Sequence, residues 1–396
     1  MSGAKPATLS IIVPLFNAEP HEIGQALASL VPDHAARHGE VEIVLVDDGS
    51  SMPPDLSIAK HQVGADRWDS LQIRLLTHPQ NRGLAAARNT GMAAATGRYV
   101  VLLDADDWLL PGQIDHLLDR LKDETADLVY LPSILTASKA ASAPLDRQEQ
   151  AICALAGESI TPSDASRFAV MALTKSSWSM AYRRRFLQQS GLGFDPVLRR
   201  WEDRPFYLKS QLAAETAAVL PDPVRAYYVG SKPGGSITRR AFDRNDVWMM
   251  CRHVRQVHED LDRDARVRQT DFAVTHFWLS VWRFCTIVLG GTTLLLLRDR
   301  RAGKLAFGTA TWLAVHGGEL ASRQPHHLSQ PGKLPFWLLR SIYLAMRHSA
   351  SWMGASVLVL MGFGFGARKR IRDMARWISF YTSGSRKPPA PVSKGS

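Results

Sequence analysis

The N-terminal half of the sequence predicts an α/β fold with an open, mostly parallel sheet, and three observations lead to this prediction. Short apolar runs rich in β-branched residues recur along the chain. Segments whose apolar residues have helical spacing lie between these runs. The runs are continuously apolar, as in strands that helices cover on both faces. Strands that alternate with helices indicate parallel βαβ units.

Five strands and three helices are predicted in this half. The strands are LSIIVPLF (9–16), VEIVLVDD (41–48), LQIRLLTH (71–78), YVVLLDAD (99–106) and DLVYLP (127–132). The helices are EPHEIGQALASLV, with Ile23, Leu27 and Leu30 on one face, RGLAAARNTGMAAATG, and PGQIDHLLDRL, with Pro111 near its first turn. Open α/β sheets bind ligands beyond the carboxyl ends of their strands. We therefore expect the polar residues that end the first, second and fourth strands to line one edge.

Composition and charge set the broad class of the protein. The 396 residues suggest one large domain with an appendage, or two domains, and 45% apolar with 21% charged residues excludes wholesale disorder and a polytopic membrane protein. The net charge of +11 includes late basic clusters, RDRR (298–301) and ARKRIR (367–372). Each cluster can be a solvated helical face, or it can meet an anionic membrane surface or nucleic acid. No nucleic-acid-binding pattern is present, so we expect no nucleic acid partner.

The cysteines and the N-terminus predict a cytoplasmic location. Cys153, Cys251 and Cys285 are far apart and lack C-x-x-C spacing, which supports neither a disulfide framework nor a zinc site. This pattern suits a reducing compartment. The first ten residues contain no apolar segment of the kind found in secretory signals.

Three carboxylates follow the fourth strand in YVVLLDADDWLLPG (99–112). On an extended backbone, Asp104 and Asp106 point to the same side, because side chains alternate with a period of two. Two carboxylates so close favour a hard divalent cation, Mg²⁺ or Mn²⁺, between them. Asp107 has a second interpretation, as the N-terminal cap of the following helix.

Two further groups lie near the same edge. Asp47 and Asp48, in VDDGS, can accept hydrogen bonds from a nucleobase or ribose, although Asp-Gly is also a common turn. Arg88 lies four residues after Leu84 and shares its inward helical face. A basic side chain on that alanine-rich face requires an anionic or planar partner, and one alternative is a carboxylate at the sheet edge.

Four ordered motifs resemble the family 2 glycosyltransferases, which are inverting enzymes with the GT-A fold. These motifs are LSIIVPLFN, VEIVLVDDGS, NRGLAAARNTGMAAATGRYVVLLDADD and WEDRPF, and the resemblance covers about residues 8–230. It implies a Rossmann-like, mostly parallel sheet with flanking helices, followed by a mainly helical C-terminal region. It also implies a donor site and a metal site. By this resemblance the donor-binding residues are expected to be Pro14, Phe16, Asp47, Asp48, Arg88 and Asp104, and the metal ligands Asp104 and Asp106.

The resemblance also implies residues that act on the acceptor. Asp203, in WEDRPF, matches the catalytic base, and Glu202 is the second candidate; the alternative for both is an exposed helix start. Trp178, Trp201, Ser236 and Arg239 are expected on the acceptor side, although Trp178 can equally be a core residue. The motif Q-x-x-R-W of the processive polymerases is absent, which favours the addition of one sugar.

The C-terminal third predicts a second region. The expected boundaries are a flexible N-terminus (1–8), the GT-A domain (9–235), a helical and membrane-associated region (236–381) and a disordered tail (382–396). Two apolar stretches, 277–297 and 352–366, admit three interpretations: buried helices, membrane spans, or helices that lie on an anionic cytoplasmic leaflet.

The function expected from the resemblance is that of a metal-dependent hexosyltransferase. It would move one sugar from a nucleotide-diphosphate sugar, with a UDP-sugar favoured, to a hydroxyl of a glycan or lipid-linked acceptor in cell-surface polysaccharide biosynthesis. Its expected location is the inner face of the membrane, as a peripheral protein. The alternative is a degenerate nucleotide-sugar-binding scaffold. An Asp-x-Asp phosphatase is disfavoured, because Asp107 and Trp108 follow the pair where that class has a different pattern.

Overall fold

The structure is a computed structural model, and it describes the chain in four main ranges. These ranges are residues 7–136, 145–161, 176–228 and 243–267. Residues 35, 36, 38, 69, 70 and 146 within them are not described, and a few positions between 270 and 309 are described in addition. The chain divides into two compact units, of which the first comprises Met1–Arg240, Gln256–His276 and Pro325–His327. This first unit contains both sheets. The predicted tail (382–396) and the stretch 352–366 lie outside the described residues, as does 277–297 apart from Phe277 and Ser280.

A seven-stranded sheet with the order β3-β2-β1-β4-β8-β6-β9 forms the centre of the first unit. Its strands are β1 (Leu9–Leu15), β2 (Val41–Asp47), β3 (Gln72–Thr77), β4 (Tyr99–Leu102), β6 (Leu128–Tyr130), β8 (Met180–Arg183) and β9 (Ala217–Val219). Strands β1 to β4 pair in parallel, and β8 runs antiparallel between β4 and β6. The predicted open, mostly parallel sheet is therefore confirmed.

Helices separate the strands of this sheet along the chain, and the last helix follows the last strand. They are α1 (Pro20–Ser29), α2 (Ser57–Val63), α3 (Ala65–Trp68), α4 (Leu84–Ala94), α5 (Gln113–Lys122), α6 (Arg147–Cys153), α7 (Arg184–Gln189), α8 (Asp203–Ala213) and α9 (Arg244–Arg263). The three predicted helices correspond to α1, α4 and α5. Ile23 and Leu27 of α1 and Leu30 after it are buried, as the spacing predicts. Pro111 lies two residues before α5, whose N-cap is Gly112.

Strand β4 ends earlier than predicted. It stops at Leu102, and the amide of Asp107 donates to the carbonyl of Asp104 across 2.9 Å, which closes a turn. Asp104 and Asp106 therefore come together on a turn and not on an extended strand. The expectation that strand alternation places them on one side was wrong in its cause, because three carboxylates within four positions favour a turn over the continuation of a buried strand.

A second sheet of three short strands lies beyond this turn. Its order is β5-β10-β7, formed by β5 (Trp108–Leu109), β10 (Arg225–Tyr228) and β7 (Ser133–Thr136). Strand β5 begins directly after Asp107, and β10 pairs with it antiparallel. The second sheet thus continues from the carboxyl edge of the first.

The described residues contain no helix that is both long enough and apolar enough to cross a membrane. This search includes α9, which has twenty residues. The two apolar stretches of the C-terminal third lie almost wholly outside the residues that were searched.

Candidate functional site

The polar ends of three strands meet at one edge of the sheet. Strands β2, β1 and β4 are adjacent and parallel, so their carboxyl ends lie side by side. Pro14 is half-buried near the end of β1, and Phe16 beyond it is 51% exposed. The predicted shared edge is confirmed, and an exposed aromatic ring there gives a planar ligand a surface to stack on.

Asp47 and Asp48 hold the backbone of this edge in place. The carboxylate of Asp48 is buried and accepts from the amides of Arg82 and Gly83 at 2.9 and 2.6 Å. The same carboxylate lies 2.7 Å from Nδ1 of His78. Asp47 accepts from the amide of Ser50 across 3.0 Å. These contacts of both carboxylates order the loops that surround the predicted nucleotide site.

The VDDGS turn needs its glycine. Gly49 has a φ of +70°, and a Cβ atom there would come within 2.5 Å of the carbonyl carbon of Gln80. A side chain is excluded by both conformation and space. The tight turn predicted from the sequence is therefore confirmed.

Arg88 connects the donor side of the edge with the predicted base. The side chain of Arg88 is 1% exposed. Its Nη2 donates to Asp104 across 2.9 Å. Its Nη1 donates to Glu202 across 3.0 Å and to Asp203 across 2.6 Å. Burial lowers the pKa of Arg88. The charges of Asp203, Asp104 and Glu202 outweigh this effect and raise the pKa above its ordinary value. The alternative that Arg88 pairs with a sheet-edge carboxylate is confirmed, and the pairing extends to two more carboxylates.

Asp203 is the first residue of α8 and is held by two hydroxyl groups. Ser176 Oγ donates to Oδ2 across 2.8 Å, and Ser177 Oγ donates to Oδ1 across 2.5 Å. The Asp203 side chain is 27% exposed, so solvent and a ligand can reach it. A carboxylate that is fixed by three donors and still accessible has the geometry that a general base requires.

Glu202 is much less accessible than its neighbour. It is 6% exposed at the N-cap of α8, so the interpretation as an exposed helix start was wrong for this residue. Burial, followed by the charge of Asp203, raises the pKa of Glu202 to about 7. Its buried position favours Asp203 over Glu202 as the group that meets an acceptor.

The acidic turn contains oxygen ligands of the kind that Mg²⁺ and Mn²⁺ prefer. One carboxylate oxygen from each of Asp104, Asp106 and Asp107 lies within 4.8 Å of the others. Asp104 and Asp106 are half-buried, whereas Asp107 is buried and forms an ion pair with Arg225. The residues fit a cation held by Asp104 and Asp106. Asp107 does not cap a helix, because α5 has Gly112 at its N-cap and no side-chain cap.

The acceptor-side residues are only partly described. Trp178 is 6% exposed, and the Arg225 guanidinium lies 4.2 Å from its ring centre, which favours the core interpretation. Trp201 has a φ of +59°, and Arg200 lies 4.8 Å from its ring centre. Unusual backbone conformations are common at functional sites. This one directly precedes Glu202 and Asp203. Ser236 and Arg239 lie outside the described residues.

Sequence reasoning missed four side chains of this site. His78 follows the third strand, so the rule that polar residues follow strands at the ligand edge would have identified it. Ser176 and Ser177 carry no sequence signal, because they contact Asp203 only through the tertiary fold. Arg225 is a charged residue within an apolar strand, a pattern that indicates a buried partner without naming it.

The chain is similar to known proteins in both sequence and fold. The family model described as "Glycosyl transferase family 2" matches residues 10–183. Among curated proteins, the "Uncharacterized glycosyltransferase EpsJ" of Bacillus subtilis is 30% identical over 234 residues, which are 55% of this chain and 60% of EpsJ. The "Succinoglycan biosynthesis protein ExoU" of Rhizobium meliloti is 30% identical over 213 residues, 53% of this chain and 58% of ExoU. The chain thus spans about three fifths of the length of these relatives.

A solved structure shares the fold. The crystal structure of S. aureus TarS 1-349 in complex with UDP-GlcNAc matches with a TM-score of 0.62 and 17% identity, and the match covers 92% of each chain. At this identity the likeness concerns the architecture alone. The mostly parallel sheet with its flanking helices therefore has the same architecture as this solved structure.

Proposed function

We infer that this chain is an inverting glycosyltransferase that adds a single sugar to an acceptor hydroxyl. Residues 10–183 belong to glycosyl transferase family 2 and adopt the GT-A fold. The observation that carries this inference is the contact of one buried guanidinium with both Asp104 and Asp203. It joins the predicted donor side to the predicted base. Inversion itself is inferred from the family.

The donor is a nucleotide-diphosphate sugar. The exposed ring of Phe16 offers a surface for the base, and the loops ordered by Asp47 and Asp48 surround it. A fold neighbour was crystallised with UDP-GlcNAc, so UDP-sugars are the first donors to test. The diphosphate would lie toward the turn that carries Asp104 and Asp106.

Asp104 and Asp106 would hold Mg²⁺ or Mn²⁺, which supplies positive charge to the diphosphate leaving group. Arg88 donates to Asp104 across 2.9 Å and so limits the orientations that this carboxylate can adopt. Three carboxylates around one arginine leave an excess of negative charge at this point, and a bound cation would offset it.

Asp203 would take the proton of the acceptor hydroxyl as that oxygen attacks the sugar. Its two serine donors and Arg88 fix its carboxylate, so the lone pairs that remain point in a defined direction. We propose a glycan or a lipid-linked acceptor in cell-surface polysaccharide biosynthesis; a relative is named for succinoglycan biosynthesis.

The test is the release of nucleotide from UDP-, GDP- and dTDP-sugars by the purified full chain with Mg²⁺ or Mn²⁺, with and without acceptor glycans. We expect one donor to be turned over. Asp203→Asn should abolish transfer and retain donor binding, whereas Asp106→Asn should also weaken metal-dependent binding. Full activity in Asp203→Asn would remove the base assignment, and donor binding without turnover of any donor would favour a scaffold.

We also propose that the chain is peripheral at an anionic membrane surface. The support is the pair of late basic clusters in the sequence. Flotation of the full chain with anionic and neutral vesicles tests this. We expect binding to anionic vesicles only, and weaker binding when Arg368, Lys369, Arg370 and Arg372 are replaced by Gln; equal recovery with both vesicles would contradict the proposal.

A further inference from the structure

Arg225 is a buried arginine that contacts the acidic turn through several hydrogen bonds. It lies on β10, and its side chain is 1% exposed. Nη1 donates to the carbonyl oxygens of Leu102 and Trp178 across 3.2 and 3.1 Å, while Nη2 forms the ion pair with Asp107. Burial of a charged group is unfavourable unless such partners surround it. The position of Arg225 is therefore defined by its contacts.

Two of these contacts lie at opposite ends of the acidic turn. Leu102 is the last residue of β4, and Asp107 is the last residue of the turn. Asp104 and Asp106 lie between them. One rigid, planar guanidinium thus bridges the two ends of the segment that carries both predicted metal ligands, and a lysine cannot reproduce this fork of donors.

The remaining contacts reach the segment that supports the predicted base. Trp178 accepts from Arg225 through its carbonyl and packs its ring against the guanidinium. Trp178 belongs to the 3₁₀ helix Ser177–Ser179, and Ser176 and Ser177 donate to Asp203. Arg225 therefore touches the elements that position the metal ligands and the base.

We propose that Arg225, together with Asp107, is a positioning residue that fixes the acidic turn relative to the Ser176–Ser179 segment. The proposal rests on the proposed function, because it assigns Arg225 a purpose in holding the metal and the base in register. Arg225 does not touch the reacting atoms. Asp107 is accordingly a partner of Arg225 and not the third metal ligand.

Hydrogen–deuterium exchange tests the positioning role without any substrate. In Arg225→Lys we expect faster exchange of the amides of residues 103–107 and 176–179, with other segments unchanged. The matched control is Arg184→Lys, because Arg184 Nε donates across 2.8 Å to the carbonyl of Gly97, just before the opposite end of β4. Wild-type exchange of both segments in a folded Arg225→Lys would overturn the proposal, whatever the activity of the protein.

Binding of Mn²⁺, measured by electron paramagnetic resonance with UDP, GDP or dTDP, tests the link to the metal. We expect about tenfold weaker binding in Arg225→Lys and unchanged binding in Arg184→Lys. If removal of the arginine alone prevents folding, Arg225→Met with Asp107→Asn removes both charges, and weak Mn²⁺ binding is again expected. Wild-type affinity in the folded variants would overturn the inference. Absence of Mn²⁺ binding in the wild type would overturn the proposed metal dependence, whereas the exchange experiment decides whether Arg225 positions the two segments.

Discussion

Arg88 and Asp203 form an ion pair across 2.6 Å, although 115 positions separate them in the sequence. The pair joins the inward face of α4 to the first residue of α8. Arg88 also contacts Asp104 and Glu202, so one buried cation faces three carboxylates. The balance of charge at this point depends on Arg88, because its removal would leave the carboxylates to repel each other.

Arg88→Met is therefore expected to be among the most damaging single substitutions. Loss of one partner of a buried ion pair costs roughly 3–5 kcal/mol, and we expect a decrease of this size in the free energy of unfolding. Urea denaturation measures it. The control is Arg67→Met, whose pair with Asp33 is solvent-exposed and should contribute less than about 1 kcal/mol. Equal stability of the two variants would contradict the assigned importance of Arg88.

Ser176 and Ser177 are expected to act on catalysis through Asp203. Replacing both serines by Ala removes two donors to the carboxylate, so its orientation becomes less defined. We expect kcat to fall about tenfold or more, while the KM for the donor stays within about twofold of the wild type. Steady-state kinetics with the donor that the enzyme turns over provides both values.

Ser179→Ala is the matched control for the serine pair. Ser179 is buried on the same 3₁₀ helix, and its hydroxyl has no hydrogen-bond partner among the residues that the structure describes. This variant should keep the wild-type kcat. If Ser179→Ala and the double serine variant lose activity equally, the effect belongs to the packing of the helix and not to Asp203.

Gly91 is predicted to be required for the close packing of α4 on the sheet. A Cβ atom at this position would overlap the side chain of Ile12 and lie 3.3 Å from a methyl carbon of Val46. Gly91→Ala should lower the free energy of unfolding by about 1–3 kcal/mol, because overpacking outweighs the gain in helix propensity. Thermal or urea unfolding measures the change.

Gly24→Ala distinguishes overpacking from a general effect of helical glycines. On α1, the added Cβ atom would meet chiefly the flexible end of the Gln62 side chain, which can move aside. We expect little loss or a gain of up to about 1 kcal/mol from helix propensity. A similar loss at both glycines would show that the spacing between α4 and the sheet is not limiting.

Much of the fold could be predicted because local patterns determine it. Apolar runs identified β1 to β4, and their alternation with helices predicted parallel strands and hence the shared edge of Asp48 and Asp104, while the order of the strands came only from the structure. The end of β4 could not be predicted in the same way, since the turn at Asp104–Asp107 depends on the carbonyl–amide contact that closes it and on Arg225, more than a hundred residues later.

The candidate site shows the same division between local and tertiary information. Asp104, Arg88 and Asp203 were identified through ordered motifs, and the structure places Arg88 in direct contact with both carboxylates. The supports of Asp203 could not be predicted, because a serine hydroxyl carries no pattern that indicates its distant partner. The buried state of Glu202 was also missed, since a charged residue at a helix start is usually exposed.

Glu202 gives the protein a pH-dependent stability. Burial and the charge of Asp203 raise the pKa of this carboxyl from its ordinary 4.5 to about 7 in the folded protein. Between these values, the folded protein retains a proton that the unfolded chain has lost. The free energy of unfolding must therefore fall as the pH rises from about 4.5 to about 7, and remain lower above it.

Glu202→Gln should remove this part of the pH dependence. The amide stays neutral at every pH, and its oxygen can still accept the hydrogen bond that Arg88 donates across 3.0 Å. Because one pKa unit corresponds to about 1.4 kcal/mol, wild type should lose about 3 kcal/mol more than the variant between pH 4.5 and pH 8. Urea denaturation across this range measures the difference, with the exposed Glu215→Gln as control. If the free energy of unfolding of Glu202→Gln changes with pH in parallel with that of wild type, the raised pKa of Glu202 is contradicted. The control Glu215→Gln should differ from wild type by the same free energy at every pH.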